Sequence, residues 1–293
     1  MEKLSAIGEE TAKPDIAGKS DIGCKRSENQ DHFMVADLRR QLVVRSSDLA
    51  HPSDELYSNQ EGHLLMVADG MGGHDNGERA SSLAIEEASY YVLDMMKWFL
   101  KLSRSQEADF LDELSSCLLT VQERFTRERT VSGSQMGTTL TIAYVLSPKL
   151  YIVHAGDSRC YRIHEGELQQ MTTDHTLAQQ LVESGGLTKT QAETSSWRHV
   201  LWNCIGAQDE RVRPEVVKST LAPKDSILVC SDGLTGVVPD EEILQVIERA
   251  PDSAAAVEQL IARARDAGAP DNVTAVVYKP AAGLSSNDDT LPL

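Results

Sequence analysis

Two short aliphatic runs, far apart in the chain, end on the same pair of residues. Leu64-Leu65-Met66-Val67-Ala68 stops at Asp69-Gly70, and Ile227-Leu228-Val229-Cys230-Ser231 stops at Asp232-Gly233. Each run has the length and side chains of a buried β-strand bounded by a turn signal. A carboxylate at the end of such a strand stands on a rigid support with its oxygens at the rim of a sheet. Two of them at one rim suit a hard divalent cation, since Mg²⁺ and Mn²⁺ favour oxygen ligands. The plain structural alternative is that Asp-Gly is a common turn pair.

Other strand patterns are Asp31–Ala36, Thr138–Val145, Leu150–Ala155, Arg159–His164 and Val273–Tyr278. Short connections such as Ser147-Pro148-Lys149 join neighbouring strands, which makes them antiparallel. Helical periodicity runs from Glu78 to about Leu102, where Leu83, Ala88, Val92 and Phe99 share a stripe. It recurs from Glu107 to Glu128, and again near 240–249 and 253–267. Helices that come in consecutive pairs argue against βαβ crossovers. The expected class is α+β, sheet on sheet with helix pairs on the outer faces.

The 293 residues suffice for one large domain. Residues 1–18 read as a flexible arm, 19–280 as one domain, and 281–293 as a disordered tail. With 28 Lys+Arg against 45 Asp+Glu, the formal charge is −17. That field argues against nucleic acid and anionic membrane as partners. No run reaches the roughly 18 apolar residues of a membrane span, and the start has no apolar signal core. A cytoplasmic setting is expected. The five cysteines are widely spaced and form no C-x-x-C pair, so no zinc site or disulfide framework is indicated.

Three further stretches carry chemistry. Asp271-Asn272 precedes the last strand, and Asp271 would face Asp232 if the two strands are neighbours. Gly156-Asp157-Ser158 lies between two strands, either as an acidic site or as a hairpin that caps itself. Arg26, just ahead of Gln30-Asp31, offers a planar fork suited to phosphate, or is a solvated surface arginine. Glycines after Asp69 leave the Gly70 carbonyl accessible as a further ligand.

Taken in order, these stretches resemble the bacterial type-2C metal-dependent protein serine/threonine phosphatases. The resemblance covers about residues 20–279. It rests on Asp69-Gly70-Met71-Gly72-Gly73-His74, Gly77-Glu78-Arg79-Ala80-Ser81, Gly137-Thr138-Thr139, Gly156-Asp157-Ser158-Arg159, Ser231-Asp232-Gly233-Leu234 and Asp271-Asn272-Val273-Thr274. It implies a four-layer α-β-β-α sandwich of two mostly antiparallel sheets. It implies hydrolysis of phosphoserine and phosphothreonine in proteins by a metal-activated water, without a phosphoenzyme. By resemblance Asp69, the Gly70 carbonyl, Asp232 and Asp271 hold two Mn²⁺ or Mg²⁺ ions. Asp157 matches a third, weaker site, and Arg26 holds the substrate phosphate. Gln30 and Asp31 stand behind the ions, and about 176–205 forms a flap beside the site. A Ser/Thr kinase or its targets would be the partners, in signal transduction.

Two positions depart from the family. Gln30 stands where many members have glutamate, so it adds no charge. Met71 stands where eukaryotic members have a histidine proposed as general acid, and methionine has no proton to donate. His74 is the nearby substitute, or a loop histidine orienting backbone. The rival from another class is a phosphatase-like module that binds a phosphoprotein partner without turnover.

Overall fold

The computed structural model describes residues 13–40, 60–72, 75–95, 106–132, 136–206 and 211–281. The chain begins with three strands, β1 (Asp15–Asp21), β2 (Asp31–Arg40) and β3 (Gln60–Met71). Two long helices follow, α1 (Asp75–Met95) and α2 (Gln106–Ser132). Next come β4 (Gly137–Thr138), β5 (Leu140–Leu146), β6 (Lys149–Ala155), β7 (Arg159–His164) and β8 (Glu167–Gln170). Short helices α3 (Leu177–Glu183) and α4 (Lys189–Glu193) lead to β9 (Glu215–Thr220) and β10 (Ser226–Cys230). The chain closes with α5 (Asp232–Thr235), α6 (Asp240–Arg249), α7 (Ser253–Asp266) and β11 (Val273–Lys279).

One sheet has the order β1-β11-β10-β7-β8 and the other β2-β3-β5-β6-β9, with β4 beside β3. All pairings are antiparallel. Successive side chains point to opposite faces of a strand, and here both faces are buried. Leu65 and Val67 of β3 meet Ile227, Val229 and Val276 of the other sheet. Leu64, Met66 and Ala68 face outward onto Ala84, Ala88, Leu114 and Leu118 of α1 and α2. Leu228, Cys230, Ala275 and Val277 meet Ile243, Ile247, Val257 and Leu260 of α6 and α7. The architecture is the α-β-β-α sandwich, and double burial explains why the central strands are continuous apolar runs. No helix among the described residues is long and apolar enough to cross a membrane.

Several details differ from the sequence reading. Residues 1–12 lie outside the described residues, but β1 begins at Asp15, inside the segment expected to be a loose arm. It pairs with β11 along its whole length, from Asp15 opposite Lys279 to Asp21 opposite Val273. Strands β8 and β9 also lack a strong signal. All three are edge strands, whose exposed face tolerates Lys, Gln and Glu. The expected tail lies outside the described residues from 282 onward, as does the helical stretch between Met95 and Gln106.

Neither Asp-Gly pair is a simple turn. β3 runs through Asp69-Gly70 to Met71, and Asp232 is the first residue of α5, behind Ser231 at its N-cap. The Gly185-Gly186 pair caps α3. Gly185 N–H donates to the Val182 carbonyl (3.0 Å) and Gly186 N–H to the Leu181 carbonyl (2.7 Å). Gly185 has φ +77°. This is the left-handed C-terminal cap that glycine favours.

Candidate active site

Both sheets contribute to one rim. β10 and β11 are neighbours with Cys230 opposite Ala275, which brings the end of one strand and the start of the other together. Asp232 and Asp271 flank that edge. In the other sheet, Asp31 of β2 is the direct partner of Asp69 of β3. Asp31 joins the two sheets, because its Oδ2 accepts from Ser231 Oγ and from Thr274 Oγ1, each at 2.7 Å. Its Oδ1 is buried with no hydrogen-bond partner, and so is Asp232 Oδ1.

The main chain around these carboxylates is tightly held. Asp69 N–H donates to Thr139 Oγ1 (2.9 Å), and Thr139 N–H returns to the Asp69 carbonyl (2.9 Å). Thr138 Oγ1 donates to the same carbonyl (2.9 Å), and Ser158 Oγ shares a hydrogen bond with Thr139 Oγ1 (2.8 Å). This is what the Gly137-Thr138-Thr139 motif does. Gly70 has to be glycine: a Cβ there would lie 2.0 Å from the Gly77 carbonyl oxygen. Gly233 is as constrained, with the Asn272 carbonyl oxygen 1.8 Å from where a Cβ would sit.

Asn272 organises the segment that carries Arg26. Its Oδ1 accepts from Gln30 N–H (2.9 Å), and its Nδ2 donates to the carbonyls of Ile22 and Glu28 (both 2.9 Å). Arg26 donates from Nε and Nη2 to Asp271 at 2.8 and 2.7 Å. That pair raises the Arg26 pKa further, with Asp69 and Asp232 adding to the effect. Gln30 lies against Gly77 and reaches the Gly72 carbonyl (3.4 Å).

Burial, and then the neighbouring carboxylates Asp31, Asp232, Asp157 and Asp271, push Asp69 well above the usual carboxylate range. Burial is the main cause for Asp157 too, followed by Asp232. Asp31 is pushed up to about 7, mainly by burial and against the two hydroxyl donors. Asp157, Asp232 and His199 present one ligand atom each within 4.8 Å of one another. His199 comes from the flap, with Nδ1 3.4 Å from Asp232 Oδ2. Mutual repulsion and two orphaned buried oxygens are what an all-oxygen cation site looks like before its charge is balanced. These residues fit divalent cations.

The structure thus brings Arg26, Gln30, Asp31, Asp69, Gly70, Asp157, Asp232 and Asp271 to one rim. His74 lies outside the described residues. Sequence reasoning missed Ser231, Thr274 and Asn272 as supports, although all three stand inside the quoted motifs. It also missed His199, which no motif marks. Trp197 is 49 % exposed on the flap, while Trp202 is half-buried with its ring 5.1 Å from that of His175.

A second cluster lies behind Asp157, comprising His154, His175 and Glu215. His154 shares a hydrogen bond with Thr141 Oγ1 through Nδ1 (2.8 Å) and with the Gly156 carbonyl through Nε2 (3.0 Å). Both of its ring nitrogens are occupied, so it has no lone pair for a metal.

The family described as Protein phosphatase 2C matches residues 50–277. The chain belongs to that family. It is 34% identical over 232 residues to the serine/threonine protein phosphatase PstP of Mycobacterium tuberculosis, which covers 78% of this chain and 42% of that protein. The chain therefore spans less than half the length of PstP. Protein phosphatase PhpP of Streptococcus pneumoniae is 28% identical over 261 residues, 89% of this chain and 95% of that protein. The catalytic domain of PstP, solved in complex with 2 manganese ions, superposes with a TM-score of 0.69 at 30% identity, over 92% of this chain and 99% of that one.

Proposed function

We propose that the chain hydrolyses phosphoserine and phosphothreonine in proteins, in one step and without a phosphoenzyme. The observation that carries this reading is the set of five carboxylates at one rim, two with a buried and unpartnered oxygen. In this reading Asp69, Asp232, Asp271 and the Gly70 carbonyl hold two Mn²⁺ or Mg²⁺ ions, and Asp157 holds a third more weakly. When bound, such ions supply a nucleophile at neutral pH and neutralise charge on the phosphoryl oxygens.

The chain's own residues do the rest. Arg26 offers guanidinium hydrogens to the phosphate, and its pairing with Asp271 keeps it at the rim. Asp31 Oδ1 is an acceptor for an ordered water, while Ser231 and Thr274 keep Oδ2 occupied. Gln30 orients without adding charge. Attack of water on phosphorus forms one P–O bond and breaks another, and the leaving serine or threonine oxygen takes up a proton. Met71 has none to give, so that proton comes from water or another group at the rim.

The partners in this reading are a Ser/Thr kinase or its targets, in bacterial signalling. A cytoplasmic setting is supported by five cysteines of which none forms a disulfide. We also propose the domain limits 19–280, with the strand at Asp15–Asp21 attached to them. The reading is tested by hydrolysis of a phosphothreonine peptide with Mn²⁺, with and without chelator. Turnover that chelation abolishes is the expected result. Binding of the peptide with no phosphate release would favour the non-catalytic module.

A further inference from the structure

We infer that His175 is a positioning residue that couples the flap to Asp157, an inference that rests on the phosphatase reading. Gly156, just ahead of Asp157, is held at every polar atom of its main chain. Its N–H donates to His175 Nδ1 (3.1 Å). Its carbonyl accepts from His175 N–H (2.7 Å) and from His154 Nε2 (3.0 Å). Its φ is +125°, and a Cβ would meet Thr139 at 2.5 Å. No other residue fits there, so the peptide leading into Asp157 has one conformation.

His175 turns the same hold toward the flap. Its carbonyl accepts from Trp202 N–H (3.0 Å). Its Nδ1 also accepts from Asn203 Nδ2 (2.9 Å), and its ring lies against Trp202. Asn203 in turn clamps Arg213 through both of its main-chain groups (2.8 and 3.0 Å). With Nδ1 accepting twice, the proton of the neutral ring is on Nε2, which faces Glu215 Oε2 at 3.7 Å. Burial keeps the ring neutral, with its pKa lowered to about 4. Thr173 N–H and Oγ1 fix that Glu215 carboxylate (2.9 and 3.0 Å). His154 stacks on the His175 ring at 4.8 Å.

The geometry makes one imidazole the shared support of two segments. The flap residues 197–203 bring His199 to Asp232, and the Gly156 peptide brings Asp157 to the same carboxylate. Loss of the Nδ1 acceptor would release both. Groups that orient a ligand typically change metal affinity by about 10–100-fold when removed.

The test is Mn²⁺ titration of activity and of calorimetric binding for wild type and a set of variants. His175→Leu removes the acceptor, while His175→Asn offers a carbonyl oxygen near the place of Nδ1. The expected result is about a tenfold rise in the Mn²⁺ needed for half-maximal turnover in His175→Leu, with recovery toward wild type in His175→Asn. In an Asp157→Asn background, His175→Leu should add less than about twofold, because both changes act through one site. If His175→Leu does not fold, Asn203→Asp keeps the volume but draws the ring proton to Nδ1, and should give the same shift. An unchanged Mn²⁺ dependence, or full additivity with Asp157→Asn, overturns the inference while leaving the phosphatase reading intact. Wild-type protein that binds Mn²⁺ but hydrolyses nothing overturns that reading instead, and the inference with it.

Discussion

The two clusters of potential metal ligands among the described residues are opposites. Asp157, Asp232 and His199 form one, next to Asp31, Asp69 and Asp271; His154, His175 and Glu215 form the other. The first has orphaned oxygens and carboxylates that repel each other. In the second, both His154 nitrogens and His175 Nδ1 already have protein partners, and burial lowers the His154 pKa to about 3. Proximity of ligand atoms is common to both. What separates a cation site from a structural network is whether lone pairs remain unspent. A buried charge without a partner costs several kcal/mol, so an unspent carboxylate persists only where something else balances it.

The sharpest way to break this contrast is to neutralise one rim carboxylate. Asp69→Asn and Asp232→Asn should each lower Mn²⁺-dependent turnover by about 100-fold or more. Asp69→Asn should also raise the melting temperature of chelated protein, since it removes a repelling charge. A chelated variant that melts lower than wild type would mean the rim is not strained.

Acidity gives the next test. Asp31 has its pKa raised from 3.8 to about 7 by burial. The unfolded chain loses that proton first as pH rises, so folding is favoured most when the group is protonated in both states. In chelated protein this contribution is complete below about pH 4 and disappears as pH climbs through 7. Melting temperatures at pH 5 and pH 8 with chelator should differ in that sense, and saturating Mn²⁺ should narrow the gap.

The histidine network should behave differently. His154→Phe removes two buried hydrogen bonds and should cost about 1–3 kcal/mol of stability in chelated protein, before any metal binds. A cost that appears only with Mn²⁺ would make the network part of the metal site. The smallest effect belongs to Arg26. Arg26→Ala should raise KM for a phosphopeptide about tenfold, the worth of one charge-assisted contact, with kcat little changed. A drop confined to kcat would assign Arg26 to the transition state alone.

Much of the sandwich was legible because its central strands are buried on both faces. Leu64–Ala68 and Ile227–Cys230 could hardly be anything else. The edges were not legible: β1, β8 and β9 bury too little for their composition to differ from that of a loop. Gly185-Gly186 shows the same limit, since only the carbonyls it bonds show that the pair caps a helix. At the rim, residue types announced the carboxylates. Ser231, Thr274 and Asn272 were harder to see, because short polar side chains occur in every turn.

By itself the sequence determined which side chains carry charge, which runs must be buried, and that several aspartates sit at the ends of rigid strands. Local pattern and side-chain chemistry are enough for that. Only the tertiary structure decided that Asp31 bridges the two sheets, that His199 reaches Asp232 from the flap, and that His154 is fully spent on protein partners. Those facts depend on contacts between residues up to 243 positions apart, such as Thr274 with Asp31. No short-range pattern encodes them, because the packing of one sheet against the other sets which oxygens find a donor and which remain free.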